Sequence, residues 1–192
     1  ANAITSETRY PYFRASSLII GSYASLVALS DKESITAIRQ GLAIHERAGA
    51  YMDRPFYLAL LADALRLTGQ YTQALQTLQP AIEQVQQGRT FFYEAELYRL
   101  QGQILQEQDP GASAAAEASY RQALLTAERQ ASPSLQLRAA VSLAQLWMHQ
   151  GQENEARAAD AKKRLAEIYA AFSEGFTTAD LLQAQSLLQP AA

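Results

Sequence analysis

Small residues recur along this chain at a nearly constant interval, and no other feature of the sequence constrains the fold as strongly. One set consists of Ser22, Ala62, Gly102 and Ala144. A second set follows the first at a near-constant offset, which is longer only in the third pair: Ser34, Ala74, Ala116 and Ala156. A fixed period of roughly 20–50 residues is typical of arrays in which each repeat is one supersecondary unit. We therefore predict four repeated units.

The composition of these units and the signals at their helix ends are typical of α-helices. Ala, Leu, Gln and Glu are good helix formers, and they dominate the chain. Ser30 and Glu33 have the spacing of a capping box, Ser132 precedes Pro133, and Thr177 with Asp180 can cap a last helix. Glycines at 49, 69, 88 and 151 follow helical stretches. These signals predict helices at about 13–28, 31–48, 54–68, 71–87, 91–107, 112–130, 134–150, 153–172 and 177–188.

The second helix of each unit carries small, large apolar and small residues in order. The second unit shows this best, with Ala74, Leu78 and Ala81. In the first helix of the third unit, Gly102 costs about 1 kcal/mol relative to Ala, and close approach of the second helix would justify it. The fourth unit departs, because Asp160 and Lys163 occupy the large and the last small position. The stretch 158–164 therefore reads as an insertion.

This pattern resembles the tetratricopeptide repeat. The resemblance implies an all-α fold: a right-handed superhelix of antiparallel helix pairs, with about four pairs and a C-terminal capping helix. The units would cover 13–48, 54–87, 91–130 and 134–172, with the cap at 177–188, in a single domain over 1–192. Within the second helices, the frame places Ile38 with Gly41, and Tyr120 with Ala123, at the large and last small positions.

Four segments carry a narrower resemblance: 94–102, 137–144, 150–151 together with 155–157, and 174–181. They resemble the C-terminal repeat region of large bacterial signalling proteins. In that family an adenylate/guanylate cyclase or DNA-binding domain is joined to a STAND-type ATPase and then to repeats, and the maltose-regulon activator is a distant relative. The resemblance implies a cytoplasmic regulatory domain. Because the chain starts without Met, close to an apolar helix, we expect it to be a fragment of a longer protein.

Composition argues against several classes of function. A net charge of −3 and a pI of about 5.4 disfavour nucleic acid, whose binding surfaces need clustered Lys and Arg. Without cysteine there is no disulfide framework or thiolate zinc site. The most apolar stretch, 17–30, is interrupted by Gly21 and several hydroxyl residues, so no membrane association is predicted.

No catalytic motif is present in the sequence. The phosphate-binding pattern G-x-x-x-x-G-K-[ST] and the nucleophile elbow G-x-S-x-G are both missing. His45 and Glu46 begin like a zinc-protease helix, but Gly49 stands where the second His is required. His45 is then interpreted as a polar residue near a helix end. We predict a chain that is not an enzyme and needs no cofactor.

The remaining candidate is a binding surface. First helices of tetratricopeptide units line a concave face, and the repeat frame places on it Phe56, Asp63, Arg66, Glu96, Arg99, Gln103, Arg138, Gln145 and His149. Arg66, Arg99 and Arg138 could form a ladder that clamps carboxylates in bidentate fashion. Alternatively, these arginines pair with Asp63 and Glu96 and only solvate the groove.

The predicted function is a non-catalytic interaction and regulatory module. Its partner would be a protein or peptide segment, including another domain of the same parent chain, and homo-oligomers are also compatible with the sequence. The alternative is a small-molecule sensor, as the relation to the maltose-responsive activator implies. A sensor requires a closed, partly apolar pocket between first helices.

Overall fold

The computed structural model describes residues 10–31, 33–49, 51–88, 93–111, 113–148 and 155–189, and every regular element within them is an α-helix. The helices are α1 (Pro11–Leu29), α2 (Ser34–Arg47), α3 (Arg54–Leu67), α4 (Tyr71–Gln86), α5 (Glu94–Gln108), α6 (Ser113–Arg129), α7 (Pro133–Met148), α8 (Glu155–Ala170) and α9 (Ala179–Leu188). The all-α class is confirmed, and a helix is present at each predicted position.

By its internal contacts the chain divides into two compact units, Ala1–Tyr93 and Glu94–Ala192. In the first unit, α1 packs on α2 and α3 packs on α4, while both α1 and α2 also contact α3. In the second unit, α5 packs on α6 and α7 on α8, and α6 contacts α7. The short α9 lies against both α7 and α8. Each unit therefore contains two of the predicted helix pairs.

Helix ends follow the glycine signals at 49, 69 and 88, and α7 begins at Pro133 as predicted, whereas the caps predicted at Ser30 and Thr177 are not formed. The predicted signal at Gly151 lies outside the described residues. Gly49, Gly69 and Gly88 have φ of +70°, +76° and +69°, the left-handed conformation that ends a helix at little cost for glycine. The capping box predicted at Ser30 is wrong. Ser30 itself takes a left-handed conformation (φ +56°) and ends α1, donating its N–H to the carbonyl of Leu26.

Asp31 performs the local capping that was assigned to Ser30. Its carboxylate accepts the N–H of Glu33 at 3.0 Å and the hydroxyl of Ser34 at 2.9 Å, just where α2 begins. The cap predicted from Thr177 and Asp180 is also wrong. Thr178 is the residue that precedes α9, and its hydroxyl donates backwards to the carbonyl of Gly175 at 2.8 Å. Hydroxyl and carboxylate residues adjacent in sequence compete for the same role, and spacing alone does not choose among them.

Two glycines show how closely the helices of a pair approach. A Cβ atom at Gly102 of α5 would lie 2.6 Å from Cε1 of Tyr120 and 3.0 Å from the carbonyl oxygen of Ala116, both on α6. At Gly41 of α2, a Cβ would lie 2.5 Å from Cγ1 of Ile19 on α1. The prediction that close packing accounts for Gly102 is confirmed.

The register of α8 corrects the sequence frame. Ala156, assigned to the buried small position of the fourth unit, is exposed, and the buried residues of α8 are Ala161, Leu165 and Ile168. The buried face therefore begins further along the helix than the frame indicated, at Ala161 instead of Ala156. Asp160 and Lys163 lie on the exposed side, where charge costs little.

The start of α8 is held by side chains instead of core packing. The guanidinium of Arg157 stacks over the ring of Trp147 in α7, 4.6 Å from its centroid, and Arg157 also lies 3.6 Å from a carboxylate oxygen of Glu117. These contacts hold the first turn of α8, which is exposed to solvent, against its neighbouring helices. At the other end, Leu181 and Ala184 of α9 join the core formed by α7 and α8, which agrees with the predicted cap.

Candidate binding surface

The residues predicted for the binding surface fall into both units. Phe56, Asp63 and Arg66 lie in the first, whereas Glu96, Arg99, Gln103, Arg138 and Gln145 lie in the second. His149 lies outside the described residues. The predicted surface residues are therefore divided between the two units, and each group is described within its own unit.

In the first unit, hydrogen bonds link α1 to α3 and to the residue that precedes it; we name these contacts the hydroxyl ladder. The Tyr12 hydroxyl donates to Asp53, the Tyr57 hydroxyl donates to Ser16 Oγ at 2.7 Å, and the Tyr23 hydroxyl donates to Asp63. In each rung the sequence separation of the partners matches the repeat interval, so each rung joins equivalent or neighbouring positions of consecutive repeats. The repeat frame therefore carries polar contacts as well as apolar ones.

Asp63 is committed to this ladder. Arg66 Nε donates to its other carboxylate oxygen at 2.7 Å, and the two side chains are 12% (Arg66) and 19% (Asp63) exposed. Burial, together with the Asp63 carboxylate, raises the pKa of Tyr23 well above its usual value. Phe56 is half-buried, with its ring edge-on to Tyr93 at 5.0 Å between centroids. Within the first unit these predicted surface residues contribute to internal packing.

In the second unit, a buried carboxylate gathers two arginines. The Glu96 side chain is 6% exposed and accepts from Arg99 Nη2 at 2.7 Å and Nε at 2.9 Å. Arg138 of α7 approaches the same carboxylate, with its Nη2 3.1 Å from Oε1. A buried carboxylate needs compensation of this kind, because an unpaired charge in the interior is costly. The alternative in which the arginines pair internally therefore describes all three of them, although the Arg138 side chain remains 34% exposed.

Arg138 continues the contact to the last helix. Its Nε lies 3.7 Å from Asp180 Oδ2 on α9, so Glu96, Arg138 and Asp180 form a row of alternating charge across α5, α7 and α9. We name these three residues the charge row. They are evenly spaced in the sequence, and their interval is the one that separates Gly102 from Ala144. Arg138 and Asp180 remain 34% and 48% exposed.

Sequence reasoning missed Asp180 and the buried state of Glu96. Adding the interval between Glu96 and Arg138 once more would have found Asp180, whose opposite charge at the equivalent position was the available signal. Next to the row, Gln103 Oε1 accepts from Arg99 Nη1 at 3.0 Å, and Gln103 Nε2 donates to Glu107 at 3.3 Å. Gln145 is the residue of α7 equivalent to Gln103 and is partly exposed.

His45 is the titratable side chain whose surroundings differ most from expectation. It lies near the end of α2, as predicted, but it is fully buried, and neither ring nitrogen has a hydrogen-bond partner among the described residues. Its ring contacts Tyr57 edge-on at 4.8 Å and Tyr12 at 5.6 Å. Burial lowers the pKa of His45, and the carboxylates of Asp53 and Glu46 oppose that shift only in part. His45 is therefore a neutral core residue.

Two clefts in the first unit are open to solvent. One, of about 630 Å³, lies between the end of α1 and the start of α2 and is lined largely by polar residues such as Ser22, Ser25 and Asp31. The other, of about 560 Å³, lies beside the Arg54–Glu46 ion pair and the exposed Tyr51 and Met52. Across the part of the chain that the structure describes, no group of three or more His, Cys, Asp or Glu side chains could hold a metal ion.

Among the described helices, α1 alone is long and apolar enough to cross a membrane, judged by length and composition. That criterion is weak evidence, because signal sequences and helices of soluble proteins also meet it. Three rungs of the hydroxyl ladder connect α1 to Asp53 and to α3. The helix is therefore packed and hydrogen-bonded within the first unit.

Comparison of the chain with models of known protein families gives no match, and comparison with curated proteins gives no significant match.

Proposed function

We propose that this chain is a tetratricopeptide-like, non-catalytic interaction module that binds an acidic, extended peptide segment on the surface around Arg138. The repeat frame and the helix pairs of each unit support the tetratricopeptide-like assignment. The cytoplasmic, signalling context follows from the family resemblance and belongs to the same proposal. The observation that carries the binding site is the charge row of the second unit.

Arg138 is positioned but incompletely neutralised. Glu96, which holds it at 3.1 Å, is shared with Arg99, and Asp180 lies at the longer distance of 3.7 Å. An exposed ion pair of that kind contributes about 0–1 kcal/mol. A carboxylate from a bound peptide can therefore replace Asp180 at small cost, and the forked guanidinium suits bidentate recognition.

The side chains around Arg138 suit an extended backbone. Gln103 and Gln145 lie at equivalent positions of α5 and α7, and both are partly exposed. A primary amide both donates and accepts, so it can pair with the N–H and C=O groups of a peptide whatever its sequence, once internal hydrogen bonds such as those of Gln103 to Arg99 and Glu107 are exchanged for bonds to the peptide. Arg138 would then supply the preference for acid, and the two amides would supply sequence-independent affinity.

The small-molecule sensor is the alternative function, and it needs an enclosed pocket between first helices. Both clefts described in the first unit are open to solvent, and one is lined largely by polar residues. A thermal-shift screen of metabolites addresses this alternative directly. Stabilisation by a small neutral ligand that is unaffected by substitution of Arg138 would favour the sensor.

The test is a selection of unstructured peptides from a display library on the purified chain, followed by affinity measurements by fluorescence anisotropy. We expect acidic peptides, with affinity reduced roughly 10- to 100-fold in Arg138→Ala, since a charge-assisted hydrogen bond contributes about 1.5–3 kcal/mol. Asp180→Asn removes the internal competitor and should strengthen binding. Arg121→Ala is the matched control, because Arg121 is an exposed arginine of α6 that is paired with Glu117 at 2.8 Å.

Three outcomes would contradict the proposal. These are recovery of no peptide, equal affinity of the selected peptides for the Arg138→Ala protein, and equal loss on Arg121→Ala. In the parent protein, deletion of the repeats should change the output of the neighbouring domains, and an unchanged output would argue against the regulatory role.

A further inference from the structure

One face of α1 is apolar, regular and uncovered. Phe13, Ile20 and Val27 recur at heptad spacing and are 57%, 47% and 58% exposed. Ser17 and Ala24 lie between them, each four positions after one large residue and three before the next, and Ala24 is also exposed. Apolar and small residues alternating by four and three along one helix form the narrow seam through which two helices pair.

The middle of the equivalent face is covered in other first helices of the chain. In the repeat frame, Ser17, Ile20 and Ala24 correspond to Tyr57, Leu60 and Ala64 of α3, and all three of these are buried. The corresponding residues of α7 are likewise buried: Ala139, Ser142 and Leu146. The position of Val27 is exposed in α3 as well, at Leu67, so α1 differs from α3 and α7 in the middle of the seam, around Ile20 and Ala24.

We propose that the seam of α1 is a dimerisation surface whose occupant is α1 of a second copy of this chain, in antiparallel orientation. Antiparallel pairing places two of the three large residues of one copy, Phe13 and Ile20, opposite small residues of the other. In this register Phe13 faces Ala24 and Ile20 faces Ser17, while Val27 faces Tyr10, the exposed residue just before the helix. Parallel pairing would instead stack Phe13 on Phe13 and Ser17 on Ser17. Contacts between two large side chains would then alternate with contacts between two small ones, which leaves overpacked levels next to cavities.

Charge also favours a second copy in this orientation. Arg14 is the one charged residue of α1, and α1 has no acidic residue with which a basic partner could pair. Antiparallel pairing keeps the two Arg14 side chains apart and aligns the helix dipoles favourably, whereas parallel pairing brings both cations to the same end. A single helix pair buries less than the roughly 800 Å² per partner of a standard interface, so the dimer is expected to be weak.

The test is sedimentation velocity of the whole chain over a concentration series, with circular dichroism to confirm that each variant is folded. The wild type should shift from monomer to dimer as concentration rises, and Ile20→Glu should remain monomeric, because a carboxylate in an apolar seam is not compensated. Leu125→Glu is the matched control: Leu125 is a comparably exposed leucine on α6, and this variant should dimerise like the wild type.

Orientation can be tested separately because the chain contains no cysteine. Oxidation of Ala24→Cys alone should give no disulfide, since the two cysteines of an antiparallel pair would lie about 16 Å apart along the helix axis. An equal mixture of Ala24→Cys and Phe13→Cys should give the mixed disulfide. A disulfide of Ala24→Cys with itself overturns the antiparallel register.

The proposal as a whole is overturned if the wild type stays monomeric into the submillimolar range, or if Ile20→Glu dimerises normally. Flotation with phosphatidylcholine vesicles tests whether this face of α1 binds a membrane surface instead of a second copy of the chain. Binding of wild-type chain but not of Ile20→Glu would assign the same face to a membrane surface, and would also overturn the dimer.

Discussion

The two units join their first helices by different chemistry across one repeat interval. In the first unit the hydroxyl ladder connects α1 to Asp53 and α3 through neutral hydroxyl donors, whereas in the second unit the charge row connects α5, α7 and α9 through Glu96, Arg138 and Asp180. The comparison shows that the repeat dictates where polar groups meet but not which groups they are. The units should therefore respond differently to loss of a carboxylate, to pH and to salt.

Loss of one carboxylate in each unit is expected to have the largest effect and to separate the two most clearly. Glu96→Gln leaves Arg99 and Arg138 facing a neutral amide at a site that is 6% exposed, and should lower the free energy of unfolding of the second unit by about 3–5 kcal/mol. Asp63→Asn should cost the first unit about 1–3 kcal/mol, because its site is 19% exposed. Urea denaturation combined with peptide-resolved hydrogen exchange assigns each loss to its unit. Equal losses of unfolding free energy in the two variants would contradict the proposed difference between the charge row and the hydroxyl ladder.

Alanine at the two close-packed glycines tests the packing of a pair in each unit. Gly102→Ala should lower the free energy of unfolding by about 1–3 kcal/mol from overpacking, less about 1 kcal/mol gained from helix propensity. Gly41→Ala should cost less, because its nearest neighbour is the flexible Ile19 side chain and the Ala15 carbonyl oxygen is 3.2 Å away, whereas Gly102 faces an aromatic ring and a carbonyl oxygen at 3.0 Å. Thermal unfolding monitored by circular dichroism measures both. A more stable Gly102→Ala protein would contradict the close approach.

The buried imidazole should make the first unit more sensitive to acid than the second. The unfolded chain protonates His45 near its ordinary pKa of about 6.5, whereas burial keeps it neutral in the fold, so the unfolded state binds more protons. Stability should therefore fall as pH drops below about 6.5. His45→Leu should flatten this dependence and change stability at pH 7 by about 1 kcal/mol or less, since it removes two unsatisfied nitrogens. Hydrogen exchange of residues 10–88 at several pH values measures the stability of the first unit. An unchanged acid dependence in His45→Leu would contradict the role assigned to His45.

The smallest expected effect lies at the exposed end of the charge row. Asp180→Asn should lower the stability of the second unit by no more than about 1 kcal/mol, because the pair with Arg138 is exposed and 3.7 Å long. The loss should shrink as salt is added, because exposed charges are screened. Denaturation at low and high ionic strength measures it. A large, salt-independent loss of stability would mean that Asp180 is ion-paired with Arg138 as strongly as Glu96 is.

Prediction from sequence succeeded where one residue type has one structural explanation. Gly102 inside a helix indicated close packing, and the positive φ of Gly49, Gly69 and Gly88 followed from their places after helices. It failed to give the register of α8: Asp160 and Lys163 signalled a departure from the frame, but alanines at 156, 158, 159 and 161 offer several small-residue registers. The buried face depends on Leu165 and Ile168 meeting the core, which is a tertiary contact.

The repeat frame also predicted which first-helix residues lie at equivalent positions. The frame brought Glu96 and Arg138 to equivalent positions, and their contact follows. It did not reveal that Glu96 is buried, nor that His45 lies among aromatic rings, because both depend on neighbours distant in sequence. Whether the arginines bind a partner stays a prediction that the peptide experiments decide.

Because Gly102 and Tyr120 are in close contact, a substitution at one position is tolerated only together with a matching substitution at the other. The Tyr120 ring lies where a Cβ at 102 would be, and its hydroxyl donates to Gln106 Oε1 at 2.8 Å, one turn further along α5. A larger residue at 102 becomes acceptable only in a background where 120 has already become smaller, such as Tyr120→Leu. An engineer who builds a consensus array from this chain must therefore copy both residues into every repeat or neither.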